Sequence, residues 1–281
     1  MINYYCVNGK IVNAENAKVK ITDLGLIRGY GIFDFLKVEK SIPLFIEPHM
    51  ERFQNSAKEM ELELSYSVEQ LKKMVMKLIA KNNFKKGGMK IILTGGYSSD
   101  GYLPSKKSNL FILLSTFKSP TKKNYQEGIK LMLHQHFRDI STVKTTNYIV
   151  PIRLAKVIKA AKAKDILYHW DGKVSESSRA NFFIVKNNNT IVTSTNFVLK
   201  GITRKRTLAI ARKHYKVVEK DISLRELKNA KEAFVTSTTK GALAVVKIDD
   251  FKIGNGKQGK VTSHIHELLV KEAKNYIKNF K

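Results

Sequence analysis

A chain of 281 residues with 43% hydrophobic and 27% charged side chains is long enough for one large or two medium domains, and too well balanced for disorder or a collagen-like repeat. Its longest apolar run, Leu110-Phe111-Ile112-Leu113-Leu114, falls far short of the ~20 residues of a membrane-spanning helix, so no membrane partner is expected. The net charge of +27 is spread over scattered lysines, the densest run being Arg204-Lys205-Arg206; it describes solvated faces that steer small anions rather than a nucleic-acid interface.

The opening reads as a hairpin: strand 4–7, a turn at Asn8-Gly9, strand 10–12. Residues 32–38 predict a further strand. Two helices follow, one over about 48–60 and one opened by the capping box Ser67-x-x-Gln70, with Val68, Leu71, Val75, Leu78 and Ile79 on one face. Residues 89–94 and 109–117 read as buried strands. The polar, proline-bearing stretch Lys118-Ser119-Pro120-Thr121-Lys122-Lys123 predicts a boundary: an N-terminal domain over 1–118, a linker over 119–123 and a C-terminal domain over 124–281. Beyond it, 128–137 reads as a strand, and Leu154, Val157, Ile158 and Ala161 recur at helical spacing. Strands over 165–168 and 182–185 flank a turn at Asp171-Gly172. Helices are expected near Thr203 and at the capping box Ser223-x-x-Glu226, a strand over 233–236, and a terminal amphipathic helix carrying Ile265, Leu268, Leu269, Ala273 and Tyr276. Strands and helices mixed in both halves, without an internal repeat, define an α/β or α+β class.

The first residues, Met1-Ile2-Asn3-Tyr4-Tyr5, lack a basic stretch followed by an apolar one, so no signal peptide is expected. The single cysteine, Cys6, cannot form an internal disulfide; both features point to the cytoplasm. Gly254-Asn255-Gly256-Lys257-Gln258-Gly259 matches G-x-G-x-x-G, but too little chain follows it for a dinucleotide-binding βαβ unit, and a glycine-rich turn accounts for it. His134-x-His136 would share one face of a strand with no third ligand nearby in sequence, and His264-x-His266 would diverge on a helix. Neither predicts a metal site.

Four segments carry more as a set. Lys144 lies in Thr142-Val143-Lys144-Thr145-Thr146-Asn147, and Glu176 in Val174-Ser175-Glu176-Ser177-Ser178-Arg179-Ala180-Asn181. Downstream come Gly201-Ile202-Thr203-Arg204 and Thr236-Ser237-Thr238-Thr239. Each alone reads as an ordinary surface or turn segment. Together they supply what pyridoxal phosphate needs. A lysine amine forms a Schiff base with its aldehyde and later shuttles a proton, and a carboxylate keeps its pyridine nitrogen protonated. A glycine-led helix start and hydroxyls receive its phosphate dianion.

With Arg28-Gly29-Tyr30-Gly31-Ile32-Phe33-Asp34, the helix Glu47-Pro48-His49-Met50-Glu51-Arg52-Phe53-Gln54-Asn55-Ser56-Ala57, and the flanks Leu199-Lys200 and Lys240-Gly241, these make six ordered motifs. The chain resembles, over nearly its whole length, the class IV aminotransferases: the fold-type IV pyridoxal-phosphate family of D-amino-acid aminotransferases, branched-chain aminotransferases and aminodeoxychorismate lyases. The resemblance implies a homodimer of two-domain subunits, with a smaller N-terminal α/β domain, a larger C-terminal mixed domain and the cofactor between them. It makes Lys144 the Schiff-base lysine, Glu176 the pyridinium partner and Arg52 a phosphate ligand. Ile202, Thr203, Thr238 and Thr239 complete the phosphate cup.

Three departures bear on the substrate. Phe33 stands where many D-amino-acid enzymes carry tyrosine, Asp34 where glutamate is common, and the strand-end motif Leu93-Thr94-Gly95-Gly96-Tyr97 lacks the carboxylate-binding arginine that follows the threonine. Arg28, helped by Lys90, is therefore the expected α-carboxylate ligand. The implied reaction is ping-pong transfer of an amino group from an amino acid to a 2-oxo acid. The Thr236-Ser237-Thr238-Thr239 segment leans toward D-amino acids, with branched-chain transamination and aminodeoxychorismate lysis as alternatives. Outside the family stands a non-catalytic anion- or nucleic-acid-binding protein, which would show salt-sensitive binding and no cofactor.

Overall fold

The computed structural model describes residues 2–280, so Met1 and Lys281, the outer ends of the two expected domain ranges, lie outside it. Contacts divide the chain into two units. The first takes the chain up to Lys118, with Val143–Asn147 and the chain from Asn275 onward; the second takes Ser119–Thr142 and Tyr148–Lys274.

In the first unit, strands β1 (Tyr4–Val7) and β2 (Lys10–Asn13) form the expected hairpin. Asn8 and Gly9 both adopt positive φ, +47° and +81°, the two-residue turn whose twist suits paired strands. Helix α1 (Leu24–Ile27), strands β3 (Gly31–Glu39) and β4 (Ile42–Pro43), helices α2 (Ile46–Glu59) and α3 (Val68–Lys81), and strands β5 (Lys86–Thr94) and β6 (Asn109–Ser115) complete it. The sheet order is β2-β1-β6-β5-β3-β4. Met50, Phe53 and Ala57 of α2 and Leu71, Val75 and Leu78 of α3 pack with Ile32, Leu36, Ile91 and Ile112 in one core. Helix α3 thus buries the apolar stripe its spacing predicts and is capped by the box Ser67–Gln70, and α2 buries Met50, Phe53 and Ala57 in the same core.

The second unit runs α4 (Lys122–Glu127), β7 (Ile129–Gln135), α5 (Ile149–Arg153), α6 (Ala155–Ala160), β8 (Asp165–Trp170), β9 (Lys173–Ser177), β10 (Ala180–Val185) and β11 (Ile191–Thr193). It continues through α7 (Ile202–Ala211), β12 (Val217–Glu219), β13 (Ile222–Ser223), α8 (Leu224–Lys228), β14 (Glu232–Ser237), β15 (Gly241–Ile248), β16 (Phe251–Lys252) and α9 (Lys260–Asn279), whose last turn falls in the first unit. Its sheet runs β12-β11-β10-β14-β15-β7-β8-β9-β13, with β16 on β15; a further β9–β10 pairing closes six of these strands into a ring. Central strand β10 is buried along its whole length. Phe182 and Ile184 face one core, while Phe183 stacks on Phe234 at 4.8 Å in another, with Leu208 and Ile265.

Several expectations are corrected. The range 124–281 is not one piece. Val143 is fully buried in the first unit's core, Phe33 N donates to Lys144 O at 2.8 Å, and Tyr276 near the end of α9 donates to Glu47. Nor is 119–123 a free spacer, because Thr121 caps α4 in a capping box with Asn124. The helical spacing over 154–161 is met by α6, flanked by Leu154 and Ala161, and the short α5 precedes it. Strands β9 and β15 go beyond the elements the sequence predicts. The first is polar, Lys-Val-Ser-Glu-Ser, yet buried in all but Lys173. The G-x-G-x-x-G match is a loop. Glu232 accepts from Val261 N, Thr262 N and Thr262 Oγ1 at the start of α9, and lies so close to Gly259 that a Cβ there would stand 1.8 Å from its carboxyl carbon.

Candidate active site

Each unit carries its own share of the predicted residues, and each share is internally organised. In the first unit the 143–147 segment runs beside β3: Ile32 bridges Thr145, and Thr146 N donates to Gly31 O at 2.9 Å. This pairing holds Lys144 with its Nζ 4.5 Å from the centroid of the Phe33 ring. Lys90, exposed on neighbouring β5, places its own Nζ 5.3 Å from the same ring. The structure therefore brings together Lys144, Phe33 and Lys90. Arg28 is exposed at the end of α1 and its Nε donates to Gly101 O at 2.9 Å.

Arg52 is committed to Asp34. Its Nε donates to Oδ2 at 2.8 Å and its Nη2 to Oδ1 at 2.7 Å, a bidentate fork on a carboxylate only 1% exposed. His49 also meets Asp34 Oδ1, at 2.7 Å; since that oxygen belongs to an ionised acceptor, the ring carries its proton on Nδ1. Burial pushes Asp34 upward, but the Arg52 and His49 charges and hydrogen bonds outweigh it and hold the carboxyl well below the ordinary carboxylate range. His49 is pushed down, chiefly by burial, against the pull of Asp34 and with help from the Arg52 and Lys144 charges. Neither Asp34 nor His49 is among the site residues the sequence predicts. Their signal is the i, i+3 spacing of His49 and Arg52, which puts both on one side of α2.

In the second unit Glu176 sits on β9, 4% exposed, opposite Asn181 of β10. Its Oε1 receives Arg138 Nη2 at 2.5 Å; its Oε2 receives Asn181 Nδ2 at 2.8 Å and Leu199 N at 3.1 Å. A polar, buried strand is tolerable because each oxygen is satisfied. Helix α7 starts at Gly201 with no side-chain cap and no acidic residue in its first turn. The first N–H groups of a helix, here those of Ile202 and Thr203, have no partner inside it, so this end is fitted for an anion. Gly201 must be glycine: a Cβ would meet Asn181 Oδ1 at 2.2 Å. Thr238 and Thr239 occupy the turn after β14, and Thr239 Oγ1 lies 3.5 Å from Ser237 Oγ. Thr236, at the end of the same strand, pairs in register with Asn181. Arg138 and Leu199 are not expected from the sequence as site residues; Arg138 lies in no motif, and Leu199 acts through its backbone.

Of the two histidine pairs, His134 and His136 stand with ring centroids 6.3 Å apart. Among the described residues, no group of three or more His, Cys, Asp or Glu could hold a metal ion, and no helix is long and apolar enough to cross a membrane.

Comparison with known proteins defines the class. The family model described as Amino-transferase class IV matches residues 31–248, and the chain belongs to that family. It is an enzyme of the aminotransferase kind. It is 29% identical over 268 residues to a D-alanine aminotransferase of Staphylococcus haemolyticus, covering 93% of this chain and 94% of that one. It is 28% identical over 270 residues to a putative branched-chain-amino-acid aminotransferase of Methanocaldococcus jannaschii, covering 93% of each. The fold matches a crystal structure of the Escherichia coli branched-chain amino acid aminotransferase at a TM-score of 0.90, with 23% identity over 96% of this chain and 94% of that one.

Proposed function

We propose that the chain is a pyridoxal-phosphate-dependent transaminase that moves an amino group between an amino acid, D-amino acids first, and a 2-oxo acid by a ping-pong mechanism. The carrying observation is a buried carboxylate with hydrogen bonds on both oxygens, Glu176, tied through Asn181 to an uncapped helix start at Gly201. That pairing suits a cofactor with a basic ring nitrogen at one end and a phosphate dianion at the other.

When bound, pyridoxal phosphate supplies an electron sink conjugated to the substrate Cα. Lys144 is the amine that would hold it, and Lys144 Nζ would then take the proton from the substrate Cα and return it. Glu176 would accept the ring N–H. The N–H groups of Ile202 and Thr203, with the hydroxyls of Thr238 and Thr239, would bind the phosphate. Arg52 is assigned there too; with Nε and Nη2 on Asp34, the part of its guanidinium left for a phosphate is the Nη1 edge.

The substrate α-carboxylate is assigned to Arg28 and Lys90. Lys90 shares the Phe33 ring with Lys144, which supports its part; Arg28 would have to serve from its perch on Gly101 O. Phe33 and the absence of arginine at Gly95 keep branched-chain L-amino acids as the second reading, with aminodeoxychorismate lysis third. The enzyme is further proposed to be a homodimer. Ile21, Leu26, Tyr102 and Leu103 are 62–79% exposed in the first unit, and Ile27 lies by Gly101, the apolar surface a second copy would cover. A cytoplasmic setting suits the lone, buried thiol of Cys6.

The test is an absorption spectrum with and without pyridoxal phosphate, followed by D-alanine and then L-leucine. A visible band absent in Lys144→Ala and bleached by D-alanine supports the first reading, and bleaching by L-leucine alone the second. A protein that stays colourless overturns both.

A further inference from the structure

One side chain in the second unit touches both halves of the proposed cofactor cradle. Asn181 Nδ2 donates to Glu176 Oε2 at 2.8 Å and to Leu199 O at 2.7 Å, which uses both of its hydrogens. Two acceptors on that side fix the orientation of the amide, since its oxygen turned there would face two other oxygens. Asn181 Oδ1 therefore lies over Gly201, where a Cβ would stand 2.2 Å away. The loop is tightened from its own side: Leu199 N donates to Glu176 Oε2 and Gly201 N to Leu199 O at 2.8 Å. Asn181 is 5% exposed and held by pairing with both Glu176 of β9 and Thr236 of β14, so it has little freedom to release one contact and keep the other.

We infer that Asn181 is a positioning residue that locks the carboxylate of Glu176 and the phosphate-binding turn at Gly201 to each other, so that the two ends of the cofactor are held at one fixed separation. The inference rests on the pyridoxal-phosphate reading. It requires that a disturbance at either end be felt at the other. Without the amide, Glu176 Oε2 loses the Asn181 N–H and the loop loses the bond to Leu199 O, so the phosphate turn loosens although no phosphate-binding group is altered. In Gly201→Ala, the new methyl group would press Asn181 off Glu176.

The experiment uses the full-length protein stripped of cofactor. Inorganic phosphate, which occupies only the phosphate end, is titrated as a competitor of pyridoxal phosphate uptake, and the pH midpoint of the visible band is followed after uptake. Asn181→Ala is expected to weaken inorganic phosphate and pyridoxal phosphate about tenfold each, the scale of a lost hydrogen bond to a charged group. The band midpoint of Gly201→Ala should move in the same direction as that of Asn181→Ala, by half a unit or more. A merely structural asparagine would lower the melting temperature and leave the phosphate constant and the midpoint unchanged, which overturns the inference. If Asn181→Ala does not fold, the Gly201→Ala midpoint decides by itself: a shift supports the coupling and an unchanged midpoint overturns it. A wild-type protein that takes up no cofactor overturns the underlying reading and this inference together, whereas uptake with unaltered variants overturns the inference alone.

Discussion

Arg52 grips Asp34 through two nitrogens, at 2.7 and 2.8 Å, inside the first unit and beside a third partner, His49. The guanidinium proposed to meet the phosphate is thus anchored by an acid that is itself buried. Removing one partner of such a buried pair leaves the other uncompensated. Asp34→Ala should therefore cost about 3–5 kcal/mol of stability. Asp34→Leu with Arg52→Met should recover part of it, measured by denaturant unfolding.

The same triad gives stability a defined pH dependence. His49 titrates below its ordinary value near 6.5, so as pH falls through about 6.5 the unfolded chain takes up a proton that the native chain excludes, and stability drops. Asp34 titrates below its ordinary value near 3.9; its contribution is fully present above that and is lost as pH falls further. Thermal melting between pH 8 and pH 3 should show both losses. His49→Gln should flatten the upper one, and an unchanged curve would contradict a buried, neutral His49.

Lys90 tests the carboxylate assignment. Lys90→Met keeps the aliphatic stem over Phe33 and removes the charge. It should raise KM for the amino donor about tenfold while kcat changes less, the signature of lost substrate binding. Arg28→Ala should act in the same sense if its hold on Gly101 O is broken for substrate; an unaltered KM would remove Arg28 from the site.

Phe33→Tyr adds a hydroxyl beside Lys144 and Lys90. The ratio of kcat/KM for D-alanine to that for L-leucine should rise by about tenfold, since a polar group can discriminate substrates where a phenyl ring cannot. An unchanged ratio would detach this position from substrate choice.

Gly259→Ala probes the loop that imitates a dinucleotide motif. Its new methyl group would collide with the Glu232 carboxyl that caps α9, at a cost of about 1–3 kcal/mol. Cofactor affinity should not move.

The helices are legible in the sequence because their causes are local. The capping boxes at Ser67 and Ser223 and the apolar stripes of α2 and α3 each lie within a few turns of chain. Strand β9 is not, because its polar residues break the apolar signal; Glu176 is buried there because Arg138 and Leu199, distant in sequence, and Asn181 on the next strand satisfy it. The unit boundary after Lys118 is visible in composition, but the transfer of Val143–Asn147 to the first unit is not, since it depends on pairing with β3 across more than a hundred residues.

By itself the sequence determined the class of the protein and the chemistry it can support: six motifs in order, a lysine, an acid and a glycine-led helix start, all of them properties of residue type and spacing. Only the tertiary structure decided what each residue is free to do. It bound Arg52 to Asp34, set Lys144 and Lys90 on one ring, and joined Glu176 to Gly201 through Asn181. Hydrogen bonds and ion pairs between distant segments form only when the fold delivers both partners, and no local pattern encodes them.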